Sequence, residues 1–249
     1  MAGSSASFSS TKETTNYARL CRLLVDVGSQ VLRETFDKIH PPAGLHNVLV
    51  RNHSALQVLQ KKRVLNATQW GKLYPAIRSS VSSRDFDITL LTVLLRNICG
   101  LIPPTTGWDA LPPVTDTSVV ADIACVKYFR NTVYAHADQA CVDDTAFNAY
   151  WQDIRDALVR LGGACYGVAI DDLKNECMDP EIEDHYEELL KQWKKDDDNI
   201  KDILQEIDRK LEELKASATS ASQAKGTFFK NHVLNKIKYN LWSISWLVG

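Results

Sequence analysis

Arg130-Asn131-Thr132-Val133-Tyr134-Ala135-His136 ends a stretch whose apolar residues, Val120, Ile123, Ala124, Tyr128 and Val133, recur at helical spacing behind Asp116, a good N-cap. The spacing predicts a helix over about 117–137 that carries a permanent cation, a neutral amide and an imidazole within seven residues. A guanidinium holds a phosphate oxygen at any physiological pH, and an imidazole, with an intrinsic pKa of about 6.5, can give or take a proton. The same residues equally suit the solvated face of a packed helix, since an Arg with His six positions later arises by chance roughly 0.3 times in a chain of this composition. Asn beside the Arg makes the pattern about twentyfold rarer, and Arg51-Asn52 and Arg96-Asn97 have no His at that spacing. Six residues turn a helix by about 600°, leaving Arg130 and His136 about 120° apart around the axis and about 9 Å apart along it. One helix is therefore a poor site, whereas two copies about a twofold axis bring Arg130 and His136 of one toward those of the other.

Outward from this helix the pattern stays helical, with almost no strand signal. Tyr17, Leu20, Leu23, Leu24, Val27, Val31, Leu32 and Phe36 predict one long helix over about 14–38, ending before Pro41-Pro42, with Gly28 in its middle allowing a neighbour to approach closely. A short helix is expected near 54–62, and another turn at Asn66-Ala67-Thr68-Gln69-Trp70, capped by Asn66 or Thr68 and stopped by Pro75. Ser83 or Asp85 is expected to cap an apolar helix from Phe86 to about Ile98, a central helix of the bundle. Pro103, Pro104, Gly107, Pro112 and Pro113 mark a surface loop pinned by Trp108, and Asp143-Asp144 start a helix that ends at Gly162-Gly163. The expected fold is an all-α helical bundle over 16–178, behind an unstructured Ser/Thr-rich 1–15.

Composition narrows the function. A net charge of −2 argues against a general polyanion binder, so any RNA must be held by local positive charge. The six cysteines form no Cys-x-x-Cys pair, and no secretory signal opens the sequence, so reduced thiols and a cytoplasmic location are expected. His40, His46 and His53 are spaced too loosely for a recognised zinc site, and no phosphate-cradling glycine loop or nucleophile elbow is present, so no metal or cofactor is expected.

Arg130, Asn131 and His136 match, one by one, the Arg, adjacent polar residue and His four to six positions on that characterise HEPN domains (higher eukaryotes and prokaryotes nucleotide-binding). Over about 18–206 the chain resembles the animal HEPN subfamily named after the DAZ-interacting RING ubiquitin ligase, through Leu23-Leu24-Val25-Asp26-Val27-Gly28, Asn66-Ala67-Thr68-Gln69-Trp70, Phe86-Asp87-Ile88-Thr89-Leu90-Leu91 and Trp151-Gln152-Asp153-Ile154. The resemblance implies a HEPN-type bundle, a homodimer, and a composite, metal-independent endoribonuclease site acting on single-stranded RNA and not on DNA. In that scheme the 2′-OH attacks the adjacent phosphate, with His136 as general base or acid. Arg130 stabilises the charged phosphorane, and Asn131 positions a phosphate oxygen or the histidine. Tyr134, four residues from Arg130 on the same face, would contact substrate by stacking a base or would pack against the Arg. On this scheme replacing Arg130 or His136 by Ala leaves stability nearly unchanged. The alternative is a non-catalytic interaction module, because animal members are joined to death-fold, NACHT or repeat domains in proteins resembling innate-immunity receptors. No RING-type cysteine pattern is present, so ubiquitin ligase activity is not carried over.

Beyond the bundle, residues 179–216 read as a long amphipathic helix. Tyr186, Leu190, Trp193, Asp197, Ile200, Leu204, Ile207, Leu211 and Leu214 alternate in steps of four and three, a coiled-coil seam that calls either for partner proteins along 186–214 or for packing back on the bundle. Residues 217–225 read as a linker. Residues 226–249 form a basic and then apolar tail, either an interfacial anchor or the exposed end of a truncated protein, and its apolar run is far short of the ~20 residues that span a bilayer.

Overall fold

Residues 11–135, 140–179, 181–182, 184–186, 188–189 and 209 are described by the computed structural model, and all their regular structure is helical. The bundle comprises α1 (Lys12–Arg22), α2 (Ser29–Ile39), α3 (Leu45–Arg51), α4 (His53–Lys61), α5 (Ala67–Leu73), α6 (Ile88–Ile98), α7 (Val119–Ala135), α8 (Asp144–Gly162) and α9 (Cys165–Asn175). The unstructured start expected for 1–15 gives way at Lys12, where Thr11 and Thr14 form a reciprocal capping box; residues 1–10 lie outside the described residues.

The single helix expected over 14–38 is α1 and α2 joined by a π-helical turn, Leu23–Gly28, with the backbone in the right-handed helical region on both sides. The wider turn keeps Leu23 and Leu24 fully buried, an adjustment that 3.6-residue periodicity cannot register. A Cβ on Gly28 would sit 3.4 Å from Ile88 Cδ1, so the close neighbour is α6. Helix α3 was not expected, and α4 follows it at once. Asn66 caps α5 through a capping box with Gln69. Ser83 and Asp85 do not cap α6: they form a 3-10 turn, and Asp87 accepts from the Leu90 N–H at 2.8 Å. Trp108 is buried in the proline-rich loop, as its role as a pin requires. The cap of α7 is Ser118, whose Oγ accepts from the Ala121 N–H at 3.3 Å, while Asp116 accepts from the Ser118 N–H at 3.1 Å.

Helix α6 is central, with Ile88, Leu90, Leu91, Leu94 and Leu95 sealed from solvent, and α7 is enclosed as well. Every residue of α7 from Ala121 to Val126 is enclosed, and Lys127, Phe129 and Arg130 follow them inside. Helix α8 packs along α7 through Phe129 and Tyr150, whose rings are 5.3 Å apart, and through an ion pair in which Arg160 Nη2 and Nε grip the buried Asp122 carboxylate at 2.6–3.1 Å. Its other side meets α1 and α2, where buried Asn16 donates to Val142 O and to Asp144. All six cysteines are free thiols; burial pushes those of Cys99 and Cys125 up to about 12, which keeps them protonated and unreactive.

Helix α8 ends at Gly163, φ +101°, and α9 turns back beside it. A Cβ on Gly162 would lie 2.5 Å from Tyr166 Cδ2 and 3.0 Å from Val31 Cγ2. That ring has little freedom, because Tyr166 donates to Glu34 Oε1 at 2.6 Å, a bond that holds the Glu34 carboxyl below the usual range. Gly162→Ala should therefore destabilise the domain by about 1–2 kcal/mol despite the better helix propensity of Ala. A urea melt checks this, and an unchanged or raised midpoint would show that the ring swings aside.

Candidate functional site

The last two turns of α7 carry the motif. Between Ala121 and Lys127 α7 is shielded, but Tyr128 and Thr132 are half-buried and Asn131 and Ala135 exposed, and these positions, three and four apart, form one surface strip. Arg130 stands beside the strip with its side chain turned inward, 8% exposed. Its Nη1 donates to Asn131 Oδ1 at 2.6 Å, its Nη2 donates to Thr89 Oγ1 at 2.7 Å, and its Cζ lies 5.2 Å from the centre of the Tyr134 ring. Arg130 Nε is buried with no hydrogen-bond partner among the described residues. Tyr134 is 4% exposed, so its ring supports the guanidinium and leaves little face for a base. Because the amide oxygen of Asn131 is occupied by Arg130, its two N–H groups remain directed away from that bond, on the exposed strip.

One turn earlier Lys127 donates to the Asp109 carboxylate and, at 3.4 Å, to Trp108 O. Arg96 Nη2 lies 3.8 Å from the same carboxylate, and its guanidinium sits 5.7 Å over the Trp108 ring. Burial lowers the Lys127 pKa; Asp109 opposes this, and the charges of Arg96 and Arg130 add to it. Three cations thus share one wall of the bundle, with the proline-rich loop supplying Asp109. Sequence reading missed Thr89, Arg96, Asp109 and Lys127 as neighbours of the motif. Only Lys127 carried a legible signal, being three residues before Arg130 and hence on its face.

The structure brings Arg130, Asn131 and Tyr134 together. His136 lies outside the described residues, as do 190–208 and 210–216 of the heptad segment, the linker and the tail. Tyr186, the first seam residue, packs against the core and donates to Asp26 Oδ2 at 2.6 Å. His40 and His53 make aromatic contacts with Phe36 and with Trp70 and Tyr74, and no group of metal-ligating side chains is gathered among the described residues. No helix among those residues is long and apolar enough to cross a membrane.

The profile of the DZIP3/hRUL138-like HEPN family matches residues 42–186, more than half of the chain. This chain belongs to that family. The match runs from the start of the 3-10 turn Pro42–Gly44 to Tyr186, so the HEPN profile takes in α3–α9 and the motif, while α1 and α2 lie before it although they share the same core. Of the blocks that suggested the resemblance, 66–70, 86–91 and 151–154 fall inside it and 23–28 outside. The chain is 28% identical over 149 residues to the mouse E3 ubiquitin-protein ligase DZIP3 and 27% identical over 149 residues to its human counterpart. Each alignment covers 59% of this chain and 12% of the relative, so this HEPN domain corresponds to a small part of those ligases. No solved structure matches the chain significantly.

Proposed function

We propose that this HEPN domain binds RNA and cleaves it without metal, in a homodimer whose site is shared by the two motif helices. The observation that carries the reading is the Arg130–Asn131 pair: a guanidinium fixed behind an exposed amide, 2.6 Å from its oxygen, with Nε lacking a partner among the described residues. Fixed donors beside a buried positive charge suit the charge that develops on a phosphorane, since they need no reorganisation during reaction. Asn131 would donate to a non-bridging phosphate oxygen, Arg130 would supply charge behind it, and His136 would move the proton between the 2′-OH and the leaving 5′-oxygen. The strip of Tyr128, Asn131, Thr132 and Ala135 is the part of α7 beside the motif that is open to a second copy.

This assigns the dimer interface to α7, and Ala135→Arg, on the exposed strip, should separate the dimer and abolish cleavage while leaving the bundle folded. Sedimentation velocity with parallel RNA cleavage tests the assignment. Separation by Leu204→Glu and not by Ala135→Arg would move the interface to the heptad seam and remove the shared site.

One observation favours a second reading, a non-catalytic interaction module. Both terminal nitrogens of Arg130 are already bonded within the chain, as they would be in a residue that only ties α7 to α6. Under that reading Asn131→Ala leaves every RNA-dependent signal unchanged.

A further inference from the structure

Between Asp37 and Asp85 the sequence contains no acidic residue, yet it contains eight of the chain's 29 lysines and arginines, within a protein of net charge −2. Side-chain contacts tie the three helices of this segment together. Tyr74 Oη donates to Leu49 O at 2.9 Å, tying α5 to α3, and the His53 ring contacts Trp70 and Tyr74 at centroid distances of 5.5 and 5.0 Å, tying α4 to α5. Several described cations outside the segment are paired with carboxylates: Arg22 with Glu176, Arg155 with Asp171, Arg160 with Asp122, Lys127 with Asp109. Within this segment Lys72, 3.6 Å from Asp87, has an ion pair, whereas Arg51, Lys61, Arg63, Arg78 and Arg84 are exposed and have none among the described residues.

Arg63 adds a second observation. It follows α4 in the left-handed region, φ +59°, with the Val64 N–H bonded to Leu59 O at 2.9 Å, the position at a helix end that glycine usually occupies. A cation stands there against the preference of the backbone.

We propose that the exposed face of α3, α4 and the α5 region, residues 38–84, is a binding surface for the phosphate backbone of single-stranded RNA, held by Arg51, Lys61, Arg63 and Arg78. Salt at physiological strength screens charge beyond about 8 Å, so a strand lying on this face meets its local cations and not the acidic remainder of the chain. His53, exposed at the edge of the aromatic cluster, offers a ring to an unpaired base. The phosphate contact stands on the charge pattern alone; that the strand is RNA rests on the function proposed above.

Fluorescence anisotropy of a labelled 20-nucleotide single-stranded RNA, titrated with the full chain at several salt concentrations, tests this. The variant with Arg51, Lys61, Arg63 and Arg78 all changed to Gln should bind at least tenfold more weakly, with a salt slope lower by about 2–3, since each single-strand phosphate contact contributes about 0.7. His53→Ala should weaken binding severalfold and leave the slope alone. Arg63→Gly, which relieves the backbone, should weaken binding without lowering the melting temperature. Equal affinity and slope in wild type and the quadruple variant would overturn the proposal. So would a wild type that does not bind. RNA bound through the segment but never cleaved would defeat the motif reading alone, and cleavage with unaltered binding in the quadruple variant would defeat this one alone.

Discussion

Arg160→Ala should cost this domain about 3–5 kcal/mol, the largest loss of stability expected from any single polar side chain, because it leaves the Asp122 carboxylate enclosed without its partner. Asp122 is 2% exposed on α7, and the described cation gripping it is the guanidinium that α8 projects over it. Even with Arg160 present, burial raises the Asp122 pKa above the usual carboxylate range, and the guanidinium only partly offsets this. Without Arg160 the folded-state pKa should rise further. A carboxyl whose folded pKa exceeds its unfolded value of about 3.9 favours the folded state below that pH and loses the contribution as pH rises through the folded pKa. The deficit of Arg160→Ala relative to wild type should therefore be widest near neutral pH and narrow as pH falls toward about 4. Asp122→Asn should cost less, since the remaining Arg160 side chain is 39% exposed and can be hydrated. Urea melts at several pH values check this; a deficit constant with pH would mean that lost packing, not a stranded charge, is responsible.

His136→Ala and Arg130→Ala should each lower RNA cleavage by about a hundredfold or more, a loss of about 2.7 kcal/mol of transition-state stabilisation. The two differ in what else they do. Arg130 was expected to be thermally silent, but its burial and its bonds to Asn131 and Thr89 mean that Arg130→Ala should also cost about 1–3 kcal/mol of stability, so it must be assayed well below its melting temperature. Arg130→Lys separates the effects: it keeps a cation but cannot reach Asn131 and Thr89 with a planar fork, and should stay as slow as Arg130→Ala while melting closer to wild type. Activity restored by Lys would reduce the role of Arg130 to bulk charge. Wild-type rates in all three variants would leave the motif with a packing role only.

The all-helical class and most helix positions were legible because amphipathic periodicity and caps are local properties. Asn66 and Asp143 were readable as caps from their own neighbourhoods, and both act as such. What failed was equally physical. The π turn at Leu23–Gly28 changes the period without changing the residue types that face the core. Asp87 displaced Ser83 and Asp85 as the cap of α6 because three polar candidates stand within five residues, and only tertiary packing chooses among them. Helix α6 is central, as its run of leucines implied; what was not legible is that α7 is enclosed as well, tolerating Asp122, Lys127 and Arg130 because each finds a partner from a distant element. Those partners, Arg160, Asp109 and Thr89, are long-range contacts that spacing along one helix does not reveal.

The central claim is most directly tested by incubating the full chain with end-labelled single-stranded RNA in EDTA and determining the chemistry of the new ends. The account predicts cleavage that persists in the chelator and leaves a 2′,3′-cyclic phosphate on one fragment and a 5′-hydroxyl on the other, as attack by the 2′-OH requires. Intact RNA, cleavage abolished by EDTA, or a 5′-phosphate end would contradict it.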